Sequence, residues 1–137
     1  NFAYGPLDRL LGTRKGVILG GNLLTLLCLT GLWAMPTAGG WVTLGLLAGV
    51  GFFGASFPMV MAHGRAFLPA HLVGRGVTLL NLFGIGMVGI GQWATGKIFA
   101  AAPAVPPEAP HAAIFLFFAG MVAIGLAVYT LSRDRTD

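Results

Sequence analysis

Residues 16–64 read GVILGGNLLTLLCLTGLWAMPTAGGWVTLGLLAGVGFFGASFPMVMAHG and contain no Asp, Glu, Lys or Arg. The stretch is too long for one helix of a water-soluble domain, but it has the length of two bilayer-crossing helices of roughly 20 residues each. Its main interruption runs from Met35 to Gly40, where proline and glycines break the apolar run. The pattern predicts two membrane-spanning helices joined by a tight turn.

The composition of the whole chain also indicates a membrane protein. Of its 137 residues 56% are hydrophobic and 9% are charged, and the mean hydropathy is +0.85. A typical soluble domain has about 25% charged residues. The net charge of +4 raises the question of nucleic acid, but seven of the eight Lys and Arg lie in short joints between apolar runs or in the tail. Nucleic-acid binding needs them clustered on one face with stacking aromatics, so we expect a lipid bilayer as partner and no nucleic acid.

Charged residues, prolines and glycines interrupt the apolar sequence and divide the chain into four spans. The predicted fold class is therefore an all-α membrane protein with four transmembrane helices. The predicted spans are residues 15–34, 41–62, 74–100 and 112–131. The predicted connections are residues 1–14, with the end of a preceding helix and a cytoplasmic motif loop, the outer proline-rich loop 101–111, and the tail 132–137. Pro58 lies inside the second span and should kink it, because proline leaves a carbonyl one turn earlier without its partner.

The basic residues predict the orientation of the spans. Seven of the eight Lys and Arg lie before the first span, between the second and third, and in the tail. By the positive-inside rule these segments are cytoplasmic, and an even number of spans returns the tail to the starting side. We therefore expect a multi-pass protein with a cytoplasmic C-terminus, in a bacterial plasma (inner) membrane.

Asn81 and Gln92 are the largest amides in the third span and the candidate cavity or substrate residues. They are eleven positions apart, which at about 100° per residue places them near one helix face. An amide in hydrocarbon needs a partner, and a neighbouring helix or a bound substrate would each supply one. Both alternatives stay open.

No constellation for catalysis, metal or cofactor binding is visible, so we expect no enzyme, no metal and no cofactor. Cys28 is the single cysteine, which excludes a disulfide within the chain. His63, His71 and His111 lie at predicted membrane edges without metal-ligand spacing and are expected to be interfacial. No charged residue occupies the middle of a span, so the usual carboxylate of an ion-coupled relay is missing from these residues.

The 22 glycines concentrate in the second and third spans. Small residues let membrane helices approach closely. Because the glycines of one span lie on different faces, these two helices should have close neighbours on more than one side, which four helices alone hardly supply. The glycines concerned are Gly45, Gly49, Gly51 and Gly54 in the second span, and Gly84, Gly86, Gly89, Gly91 and Gly96 in the third.

The segment GPLDRLLGTRK, residues 5–15, resembles a motif of major facilitator superfamily transporters, namely a Gly-rich start, Asp-Arg, Gly and two basic residues. The family carries it after helix two and, in weaker form, after helix eight. Gly5 is one residue closer to Asp8 than in the usual pattern and Gly12 one residue further, which favours the second copy. The residues of this conformational motif are Gly5, Asp8, Arg9, Gly12, Arg14 and Lys15.

The resemblance implies a fold and a function. Four spans after the motif correspond to helices nine to twelve, the C-terminal third of a twelve-helix transporter, and the chain's start at Asn1 fits a C-terminal piece. The joint with Arg65, Pro69, Gly74 and Arg75 resembles the family's connection between helices ten and eleven. The family implies secondary active transport of a small-molecule substrate by alternating access, with the motif stabilising one conformation. The second and third spans would border the central cavity or the interface between the two halves, and the first and fourth would be peripheral. The missing N-terminal helices would be partners.

Two alternatives compete with this interpretation. The first is a stand-alone four-helix membrane protein with a structural or assembly role. The second is a small multidrug transporter, but such proteins carry a membrane-embedded Glu, which these spans lack.

Overall fold

The computed structural model describes residues 13–103 and 105–133, and this part of the chain is helical and contains no strand. The elements are α1 (Arg14–Ala34), α2 (Gly40–Phe53), α3 (Phe57–Arg65), a 3₁₀ turn (Ala70–Leu72), α4 (Val73–Ala101) and α5 (Ala109–Thr130). They form four segments long and apolar enough to cross a membrane, namely Arg14–Ala34, Gly40–Arg65, Ala70–Ala101 and Ala109–Thr130. The prediction of an all-helical chain with four spans is confirmed.

Local signals explain both ends of α1. At its start, the Thr13 hydroxyl accepts a hydrogen bond from the backbone N–H of Gly16 at 3.0 Å, which satisfies one of the unpaired donors of the first turn. At its end, Met35 donates to the carbonyl of Gly31 at 2.9 Å, and Pro36 cannot continue the ladder. The tight turn that follows needs Gly39, whose φ of +92° is disfavoured for residues with a side chain. α2 begins at the next residue.

The second span is broken rather than kinked. α2 ends at Phe53 and α3 begins at Phe57, so Pro58 lies in the first turn of a new helix. A first-turn proline lacks only an N–H that has no helical partner anyway, which makes this position favourable for it. The expected kink at Pro58 is therefore replaced by an interruption of three residues, Gly54–Ser56.

The core lies along one face of α1. Val17, Ile18, Leu29 and Leu32 are buried at helical spacing, together with Gly21 and Thr25. α1 packs most extensively on α5 and then on α2, while α4 packs on α5 and α3. These contacts join the four spans in a ring, in the order α1, α2 with α3, α4, α5.

The glycines differ in what surrounds them. A Cβ added at Gly49 would lie 2.7 Å from the Cys28 sulfur, and one at Gly64 would lie 2.9 Å from a methyl carbon of Leu80. These two glycines allow α1 to approach α2, and α3 to approach α4. On α4 the positions of Gly86, Gly89, Gly91 and Gly96 instead face open space. The described residues thus supply close neighbours for only some of the predicted packing glycines.

Candidate functional site at the basic end

The basic end of the bundle is the end at which α1 begins and α3 and α5 end. Lys15, His63 and the residues that follow α5 come together there through hydrogen bonds. Arg14, Arg65 and Val73 line a shallow groove at this end, next to the start of α4. The structure therefore places basic residues from three of the predicted cytoplasmic joints on one side of the bundle.

Lys15 connects the start of α1 to the end of α5. Its ammonium nitrogen donates to the carbonyl oxygens of Thr130 at 2.7 Å and Ser132 at 2.6 Å. The last carbonyls of a helix have no partner within the helix, and the helix dipole places partial negative charge on them. A cation that donates to these carbonyls supplies the missing hydrogen bonds and offsets the partial negative charge. Lys15 therefore caps the C-terminus of α5 from another helix.

His63 forms the second connection at the basic end. Its ring is 3% exposed; Nδ1 lies 2.6 Å from the Tyr129 hydroxyl oxygen, and Nε2 lies 3.0 Å from the carbonyl oxygen of Arg133. A carbonyl only accepts, so Nε2 carries the hydrogen, and the Nδ1 of a neutral imidazole then accepts from the tyrosine. His63 thus joins α3 to α5 and to the backbone beyond it. We call Lys15, His63, Tyr129 and the carbonyls of Thr130, Ser132 and Arg133 the basic-end network.

His63 is buried within the bundle at the end of its span, whereas His71 and His111 are exposed, and the interfacial position of the three histidines stays a prediction. The sequence predicts the end of the span at which His63 lies but gives no signal for its contact with Tyr129. The reason is that the pair depends on which helices are neighbours. Alternating spans put residues 63 and 129 at the same end, and nothing in the apolar pattern indicates that α3 and α5 approach each other there.

The motif predicted to control conformation is described only in part. Gly5, Asp8, Arg9 and Gly12 lie outside the described residues. Arg14 and Lys15 are the first two residues of α1. The role of the motif therefore stays a prediction. The structure adds that Lys15 donates hydrogen bonds to the end of α5.

Asn81 and Gln92 both lie on α4, outside the basic-end network. Asn81 is half-buried and Gln92 is exposed. At position 92 the backbone carbonyl accepts a hydrogen bond from the Thr95 hydroxyl at 3.0 Å. Contact of the Asn81 and Gln92 amides with another helix or with a substrate stays a prediction.

The amide that does join two helices is Asn22 on α1. Its Nδ2 donates to the carbonyl of Ile18 at 2.8 Å and to the hydroxyl of Ser56 at 3.1 Å. Ser56 is 3% exposed and lies in the interruption between α2 and α3. The polar contact therefore fixes the broken part of the second span against α1.

The proline end is the opposite end of the bundle, where Met35 and Pro36 lie near Pro107 and His111 around a common groove. The rings of His111 and Phe99 meet edge to face with centroids 5.4 Å apart, which joins α4 to α5. Trp33 and Trp41 are 45% and 87% exposed on either side of the α1–α2 turn. Exposed tryptophans at helix ends are typical of the interface between lipid and water.

Within residues 13–103 and 105–133, no three His, Cys, Asp or Glu side chains are close enough together to hold a metal ion. Cys28 is half-buried against Gly49. Comparisons with protein-family models, curated proteins and solved structures found no match to this chain.

Proposed function

We propose that the chain contributes helices nine to twelve of a secondary active transporter of the major facilitator type, which moves a small solute across a membrane by alternating access. The observation that carries this proposal is the exposure of α4. This helix has 29 residues and none of them is buried. Residues 85–90 are all exposed, which is more than one full turn, so the middle of α4 is open on every side.

The glycines of α4 argue that this open surface has a partner. Glycine in a helix costs about 1 kcal/mol of stability relative to alanine. In membrane proteins this cost is offset where the absence of a side chain lets another helix backbone approach closely. The open positions of Gly86, Gly89, Gly91 and Gly96 on α4 gain nothing from such an approach among the described residues. Their presence supports further helices packing on α4, as in the half of a transporter that faces a second half across a cavity.

The rest of the bundle has the properties that such a half needs. Alternating access by rocking requires that each half move as one body. Lys15 connects α1 to α5, His63 connects α3 to α5, and Asn22 connects α1 to the interruption in the second span. These connections, and the ring contact of Phe99 with His111 that joins α4 to α5, support four spans that move together. In this proposal α4 lies at the moving interface, with Asn81 and Gln92 next to the cavity. The proposal involves no chemical step and no cofactor.

Cysteine accessibility tests this proposal. In a Cys28→Ala background, Gln92→Cys should react with a water-soluble maleimide, because a transporter cavity is filled with water. Phe118→Cys is the matched control: it is exposed on α5 and lies as far from the proline end of its helix as Gln92 does on α4. A transporter predicts labelling at position 92 and protection by lipid at position 118. Equal protection at both positions would contradict a cavity beside α4.

The second candidate is a stand-alone four-helix membrane protein with a structural role. It is favoured by the ring of contacts, because each span already packs on two others. In that case the open part of α4 would face lipid or a second copy, and position 92 would be as protected as position 118.

A further inference from the structure

The groove at the proline end lies between α2 and α5, with α1 below it. Thr43 and Leu47 of α2 line one wall, and His111 and Phe115 of α5 line the other. The floor includes Leu32, which is 3% exposed. The groove has a volume of about 430 Å³ and is mostly apolar, within the range of sites that bind small molecules.

One charged group lines this groove. Glu108 is the only Asp or Glu in the described part of the chain, and it precedes the first residue of α5. Its carboxylate does not cap the helix. A carboxylate beside an apolar groove at the membrane surface favours a cationic partner that also has an apolar body.

We propose that this groove binds a phospholipid with an ethanolamine headgroup. The ammonium of the headgroup would donate to the Glu108 carboxylate, and an acyl chain would pack on Leu47 and Phe115 deeper in the groove. The exposed Trp33 and Trp41 mark the same end of the bundle as the headgroup level. The phosphate would stay in the aqueous interface.

The charge of the groove selects among lipids. An ethanolamine ammonium has three hydrogens to donate, as a lysine ammonium does, whereas the quaternary ammonium of choline has none. A glycerol headgroup carries no cation, so its phosphate charge is not offset and Glu108 would repel the lipid as a whole. An ethanolamine lipid is a zwitterion that carries both an ammonium and acyl chains, and its high concentration in a bilayer lets it occupy the groove by mass action ahead of a dilute soluble amine.

Native mass spectrometry of the purified full chain tests the site, independently of the proposed transport function. The chain is equilibrated in mild detergent with equal amounts of phosphatidylethanolamine, phosphatidylcholine and phosphatidylglycerol. We expect preferential retention of phosphatidylethanolamine and a loss of about tenfold in Glu108→Gln, because the amide oxygen still accepts a hydrogen bond but no longer forms an ion pair with the ammonium. Leu47→Trp should also lower retention by filling the apolar part. Leu44→Trp, on the same helix but not among the residues that line the groove, is the matched control and should not.

Several results would overturn the proposal. Equal retention of ethanolamine and choline lipids would show that the ammonium is not recognised. Retention unchanged by Glu108→Gln would show that the carboxylate does not hold the lipid, and this arm decides the matter even if Leu47→Trp does not fold. Binding of free dodecylamine that depends on Glu108, without retention of phosphatidylethanolamine, would assign the site to soluble amphiphilic amines.

Discussion

His63 is satisfied at both ring nitrogens by groups from two different parts of the chain, the Tyr129 side chain and the Arg133 backbone. Edge-to-face contacts with Phe67 and Tyr129 surround the ring, with centroids 5.2 and 5.6 Å away. At this scale a single side chain supplies the hydrogen bonds that join α3 to Tyr129 and to the backbone beyond α5. A substitution of similar size without polar atoms would remove both of these hydrogen bonds.

We expect His63→Phe to destabilise the chain by about 1–3 kcal/mol, because two part-buried hydrogen bonds are lost, each worth about 0.5–1.5 kcal/mol. His71→Phe is the control, since His71 is exposed in the turn before α4. Thermal unfolding in detergent, followed by circular dichroism, measures both variants. A loss of stability that is equal in the two would show that the buried hydrogen bonds contribute nothing specific.

The helices could be predicted where the sequence features that define them lie within the helix itself or next to its ends. The four spans follow from apolar length, and the ends of α1 follow from Thr13 and Pro36, because capping and the missing proline N–H act within a few residues. The interruption before Pro58 was expected only as a kink. Its form depends on Ser56 meeting Asn22 of another helix, which no local pattern contains.

The approach of α1 to α2 depends on Gly49 and Cys28. We expect Gly49→Val to destabilise the chain by about 1–3 kcal/mol through overpacking, because even its Cβ would lie 2.7 Å from the Cys28 sulfur. Cys28→Ala should relieve part of that loss, so the double variant should be more stable than additivity predicts. Gly45→Val, where the space around the Cβ is open, is the control. Strict additivity in equilibrium unfolding would exclude a direct contact between positions 49 and 28.

For the whole molecule, the structure brings the predicted cytoplasmic residues to one end and the predicted outer segments to the other. The arrangement of helices around α1 and the basic-end network were not predictable, since apolar periodicity reports which face is buried and not which helix covers it. Among residues 13–103 and 105–133, the side-chain amides of the predicted cavity residues Asn81 and Gln92 form no hydrogen bond, so their role stays a prediction.

The orientation of the bundle is expected to place the basic end in the cytoplasm. In a Cys28→Ala background, Pro36→Cys should react with a membrane-impermeant maleimide added to intact cells, whereas Arg133→Cys should react only after the cells are opened. Labelling of position 133 from outside would show that the bundle has the opposite orientation and that the motif residues are not on the cytoplasmic side.

Solute uptake into proteoliposomes tests the transporter proposal most directly. The 137-residue chain reconstituted alone should insert without giving saturable uptake, because one third of a two-halved fold cannot enclose a site at the membrane midplane. The transporter that contains it should give uptake that saturates with solute and follows an imposed ion gradient. Saturable uptake by the chain alone, or none by the folded transporter across sugars, organic anions, drugs and peptides, would contradict the account.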